Sequence, residues 1–223
     1  MEIKSLTLFT GQLEAQYKFY TQRLGFICID KNEDSFTLNI GNSLLTFITK
    51  EGSTPYHFAL NIPYKSIDDA LHWTKEKVAV LKNGRFEIHE FEDWQARAVY
   101  FYDEDKNIVE FIGRKELNYG YGDSFDIGCI KEISEIGIAS TDIESCYNSL
   151  SLNIGLEIYD GGFYRFCAIG DEKGLFICVN PEEKKWYPTD DTVYYSAFIA
   201  KIQRYNLSRT ISYENGKVAI KLQ

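Results

Sequence analysis

Residues 3–9 alternate apolar and polar side chains in the two-residue period of a strand. The period then changes. Leu13, Tyr17, Tyr20 and Leu24 fall at i, i+4, i+7 and i+11, which predicts a helix over residues 12–24 with one apolar stripe. Gly25 follows, the residue type that closes a helix in a left-handed conformation. Three short strand patterns come next, at residues 26–30, 35–40 and 44–49. Asn32-Glu33-Asp34 and Gly41-Asn42 are the turns between them. The order is βαβββ.

The same order begins again. Residues 56–62 read as a strand and 66–75 as a helix, with Ser66 at the N-cap and Asp68 and Asp69 in the first turn. Residues 85–91, 96–102 and 108–112 give three more strands, the last two joined by a turn at 103–107. The run Asn118-Tyr119-Gly120-Tyr121-Gly122-Asp123 has no period and reads as linker. Beyond it the pattern returns at an offset of about 130 positions. Gln12, Tyr20 and Gly25 correspond to Asp142, Leu150 and Gly155, and Ile40-Gly41 corresponds to Ile169-Gly170 within one residue. Leu45 and Phe47 fall close to Leu175 and Phe176. The fourth unit is short, with strand patterns only at 193–202 and 217–222. The expected division is a first pair of units at 1–114, a linker at 115–129 and a second, degenerate pair at 130–223.

Composition sharpens this picture. Aromatic residues make up 15% of the chain, which suits strands. The formal charge of −9 repels polyanions, so nucleic acid and anionic membrane are not expected partners. No apolar run approaches the roughly 20 residues of a membrane helix. Met1-Glu2-Ile3-Lys4 leads into a strand pattern and not a signal peptide, so a cytoplasmic location is expected. Cys28, Cys129, Cys146, Cys167 and Cys178 form no CxxC pair. They read as small buried hydrophobes in a reducing compartment, not as a disulfide framework or zinc knuckle. No nucleophile elbow, phosphate loop or dinucleotide fingerprint is present.

Three segments carry a resemblance. They are Phe19-Tyr20-x-x-x-Leu24-Gly25-Phe26, Tyr56-His57-Phe58-Ala59-Leu60, and Ala98-Val99-Tyr100-Phe101-Tyr102-Asp103-x-Asp105-Lys106-Asn107-x-x-Glu110. In this order they resemble the helix end, the metal-bearing strand and the closing hairpin of the vicinal-oxygen-chelate superfamily, which includes glyoxalases, bleomycin-resistance proteins and extradiol dioxygenases. Two departures stand out: Lys106 where the family usually has Gly, and Ser5 where it often has His. The resemblance implies an α+β fold of tandem βαβββ repeats, forming cupped mixed sheets with helices on the outer face. It also implies that facing units build a cup, with metal ligands on the first strand of each unit and the last strand of one.

Strand parity tests where such ligands point. Phe58 and Leu60 share one face, and His57 shares the other with small Ala59. Ile136 and Ile138 share one face, and Glu135 shares the other with Gly137 and Ala139. Ser5-Leu6-Thr7-Leu8 follows the same rule. Two arrangements are open. Units one and two can enclose Ser5, His57 and Glu110. Alternatively, units pair across the linker and a cup holds His57, Glu110 and Glu135. One imidazole and two carboxylates suit Mn, Fe, Zn, Ni or Mg. Ser5, His89, Trp94, Arg97 and Tyr100 are the expected ligand-binding residues.

The resemblance implies a metal-dependent enzyme, of lyase or ring-cleaving dioxygenase type, acting on a small oxygenated molecule, with aromatic compounds among the candidates. Glu135, if not a ligand, is the candidate base. The alternative is a metal-free cup that sequesters a small molecule, as in resistance proteins. A small-molecule partner is expected in either case, and a homodimer is compatible with both.

Overall fold

The computed structural model describes residues 1–122 and 124–222. Asp123, at the end of the turn-rich run, and Gln223 lie outside the described residues. The first unit comprises β1 (Glu2–Thr10), α1 (Leu13–Lys18), β2 (Cys28–Lys31), β3 (Ser35–Ile40) and β4 (Ser43–Thr49). The second comprises β5 (His57–Ile62), α2 (Ile67–Lys75), β6 (Val80–Leu81), β7 (His89–Phe91), β8 (Ala96–Tyr102) and β9 (Ile108–Arg114). The third comprises β10 (Glu132–Ala139), α3 (Ile143–Ile154), β11 (Ile158–Gly162), β12 (Phe166–Asp171) and β13 (Gly174–Val179). The fourth is a helix-free meander of β14 (Phe198–Arg204), β15 (Leu207–Glu214) and β16 (Lys217–Leu222).

In each complete unit the last strand returns parallel to the first, as β1–β4, β5–β9 and β10–β13. The units then pair through their first strands. β5 runs antiparallel to β10, with Ala59 opposite Glu135 and Phe58 opposite Ile136. β1 runs antiparallel to β14, with Leu6 opposite Ala200. Unit two therefore faces unit three, and unit one faces unit four. The two halves of the sheet meet between β1 and β10 at Ile3 and Ile133.

The alternation of β5 and β10 explains why both strands sit at the centre. Phe58, Leu60, Ile136 and Ile138 are fully buried in the core beneath the helices. Ala59 and Ala139 line a second, smaller core on the opposite face with Ala96, Ala98, Ile108 and Ile112. The segments 115–122 and 124–129 pack as well as connect. They form two 3₁₀ turns, Lys115–Leu117 and Ile127–Cys129, and bury Phe125 edge-on to Trp73 at 5.6 Å.

Several elements differ from expectation. The helix predicted over 12–24 is α only to Lys18, then π over Phe19–Arg23. The wider turn brings both Phe19 and Tyr20 inward, and Tyr20 Oη donates to buried Asp103 at 2.7 Å. The strand expected at 85–91 begins only at His89, because Asn83 bridges Phe86 in a turn that leaves Phe86 exposed. The strand expected from 193 begins at Phe198, and β15 was hidden by its polar outer face. Among the described residues no helix is long and apolar enough to cross a membrane.

Candidate metal centre

His57 and Glu110 reach the cup from neighbouring parallel strands, β5 and β9, and Glu135 arrives from β10 on the other side of β5. His57 Nε2 lies 3.5 Å from Glu110 Oε2 and 3.7 Å from Glu135 Oε2. One ligand atom from each residue falls within 4.8 Å of the others, and all three residues are buried. His57 Nδ1 is 3.2 Å from the carbonyl oxygen of Ile108. That carbonyl makes Nδ1 the donor and leaves Nε2 for the cup. Three acceptors thus converge with no donor of their own among them, which is the donor set of a divalent cation with N and O ligands.

Arg114, at the end of β9, is buried directly behind this group. Its guanidinium pairs with Glu135 Oε1 and donates to Asn61 Oδ1 at 3.0 Å and Ser134 Oγ at 2.6 Å. Glu135 therefore presents its other oxygen, Oε2, to His57. Parity alone could have found Arg114, since it follows Glu110 and Ile112 on one face of β9.

The strands also show what the fourth corner holds. Ala59 opposite Glu110 on β5–β9 has its counterpart in Gly137 opposite Ile177 on β10–β13. The position equivalent to Glu110 in the facing unit is thus Ile177, which offers no ligand atom.

Electrostatics separate the two carboxyls. Burial pushes Glu110 up to about 8, and the Glu135 charge adds to this against His57, Tyr100 and Arg114. Burial opposes ionisation of Glu135 too, but Arg114 and the His57 hydrogen bond outweigh it and hold Glu135 below the usual range. Burial disfavours the charged imidazole, yet the Glu135 hydrogen bond and the charges of Glu110 and Glu135 raise His57 above its ordinary value. Without a cation, protons on Glu110 and His57 reconcile the three acceptors.

Above the triad opens a cavity of about 410 Å³. Aromatic side chains wall it: Phe91, Trp94, Tyr100, Phe166, Trp186 and Tyr187. Trp186 lies over His57 with ring centroids 5.1 Å apart. A Cβ on Gly137 would meet that indole at 2.6 Å and 2.7 Å, so the small face of β10 makes room for Trp186. Trp186 and Tyr187 come from the aperiodic stretch between β13 and β14, where sequence patterning carries no directional signal.

The expected ligand-binding residues divide. Trp94 and Tyr100 line the cavity. His89 is buried behind Tyr100, ring centroids 4.9 Å apart. Its Nε2 donates to the Leu81 carbonyl at 3.1 Å, and its Nδ1 accepts from Tyr187 Oη at 2.7 Å. Ser5 belongs to the other half of the sheet, opposite Leu44 and Lys201, and does not join the triad. Arg97 lies between Ala96 and Ala98 in β8, so it takes the helix-side face. There it pairs with Asp68 and Glu90, each at 2.9 Å.

No family model and no curated protein matches the chain. Solved structures do. A candidate dioxygenase from Bacillus subtilis superposes with a TM-score of 0.60 at 15% identity, over 97% of this chain and 82% of that one. Glyoxalase I from Zea mays, in a single-residue variant, superposes with a TM-score of 0.58 at 12% identity, over 100% of this chain and 92% of that one. At these identities the likeness is one of fold. The chain shares the fold of these two proteins, a glyoxalase-type fold.

Proposed function

We propose that the cup between units two and three binds one divalent metal through His57, Glu110 and Glu135, and that the protein is a metal-dependent enzyme acting on a small, flat, oxygenated molecule. The observation carrying this reading is the convergence of three buried ligand atoms at the floor of an aromatic cavity. A bound metal would supply Lewis acidity to two neighbouring oxygens of the ligand. The chain's own residues supply the rest. Trp186 and Tyr100 orient a flat ligand over the triad, and the aromatic wall excludes water. Arg114 keeps Glu135 ionised, so Oε2 can hold a proton drawn from the ligand if that oxygen is not committed to the metal. Mn, Fe, Zn, Ni and Mg all fit an imidazole with two carboxylates.

A second reading has one specific support. Glu110 at about 8 and a raised His57 let protons alone stabilise the cup, as a metal-free sequestering protein would need. Metal analysis separates the two. Protein produced in medium supplemented with these metals should carry about one ion per chain, and His57→Ala should carry none. Absence of stoichiometric metal from both leaves the sequestering reading.

A further inference from the structure

Besides the triad, three acidic side chains border the ligand cavity, Glu92, Asp93 and Asp160, against one ammonium, Lys184. The carboxylates are not scattered. Two stand in the turn after β7, Glu92-Asp93, flanked by two of the wall's aromatic rings, Phe91 and Trp94. The third, Asp160, accepts a hydrogen bond from Trp94 Nε1 at 2.7 Å, which binds it to the same wall. Glu90 lies on the other face of β7 from Phe91 and directs its carboxylate to Arg97 at the helix side. Among the described residues Glu92 and Asp93 pair with no cation of the chain. Trp94 lies near Phe166, ring centroids 6.4 Å apart, and the Lys184 ammonium already rests 5.8 Å from the Phe166 centroid. One wall thus combines aromatic faces with excess negative charge, and it already accommodates an ammonium. Aromatic faces and carboxylates both attract a cation.

We propose that the natural ligand is a planar aromatic molecule bearing a positive charge, an arylalkylammonium, with its ammonium against the Trp94 wall. This rests on the metal-chelating reading above, which places the ligand's two oxygens at the triad. Carboxylate-bearing ligands, including thiol-peptide conjugates with two free carboxylates, are disfavoured. Lys184 offers them one ammonium, and three carboxylates repel them.

Three catechol probes of matched size test this on metal-loaded protein: dopamine, 4-ethylcatechol and 3,4-dihydroxyphenylacetate. Dopamine should bind at least tenfold more tightly than the carboxylate probe, with the neutral probe between them. The gap should narrow as salt is raised, because the charges are exposed and screened. The double variant Glu92→Gln, Asp93→Asn should cut the dopamine advantage by about half or more on a logarithmic scale and leave 4-ethylcatechol unchanged. Lys184→Met should strengthen dopamine and weaken the carboxylate probe. If the carboxylate probe binds as well as dopamine while all three bind, the charge assignment is overturned and the metal-chelating reading stands. If no probe binds metal-loaded protein, the chelating reading itself fails.

Discussion

At the scale of the residue, the centre depends on how each acceptor is held. Arg114 is the least replaceable of the supporting groups. Arg114→Met leaves Glu135 and Asn61 without their buried partner. Removing one member of a buried pair costs on the order of 3–5 kcal/mol, so denaturant unfolding should show a loss of that size. Metal affinity should fall about 10- to 100-fold, as for other groups that orient a ligand. Lysine is not expected to restore either quantity, since it cannot bridge Glu135, Asn61 and Ser134 with a planar fork. Proton competition gives a second prediction. Glu110 sits at about 8 and His57 above its usual value, and both must be unprotonated to ligate. Metal affinity should therefore be near its maximum above about pH 8 and fall roughly tenfold per unit below it while one proton competes. An affinity profile that is flat across this range contradicts the assignment of Glu110 as a ligand.

At the scale of the element, β5 and β10 do the positioning. Each buries one face under helices and opens a small-residue face to the cup. Gly137 tests that division. A methyl group there collides with Trp186, so Gly137→Ala should shift tryptophan emission and weaken ligand binding about tenfold, or ~1.4 kcal/mol. Metal content should stay near one per chain, because the three ligand positions are untouched. Much of this was legible in the sequence. Alternation placed His57 and Glu135 on small-residue faces, and the repeat offset marked β10 as the counterpart of the opening strand. Arg97 was expected in the cup together with Tyr100, but alternation puts the two on opposite faces of β8: Arg97 shares its face with Val99 and Phe101, which are buried in the helix-side core. Trp186 and Tyr187 were illegible for a different reason. They lie in an irregular strap, and only tertiary contacts bring it across the cup.

At the scale of the whole molecule, each cup is built from both halves of the chain. β1 pairs with β14 and β5 with β10, so neither half completes a cup alone. The sequence left this pairing open because strand patterns carry no information about which edge a strand joins. Exchange of this kind predicts that a single proteolytic cut near Gly120–Gly122 leaves both pieces associated on native size-exclusion chromatography, with metal retained. Pieces that separate under native conditions contradict it.

The central claim is that His57, Glu110 and Glu135 hold one metal from three strands of two units. Calorimetric titration of metal-stripped protein with Mn, Zn and Ni tests it directly, comparing the parent chain with Glu110→Ala and Glu135→Ala. The account predicts one site per chain for at least one of these metals, weakened to a similar extent by either substitution. Parent-like affinity in Glu135→Ala, or no binding by the parent chain, contradicts it.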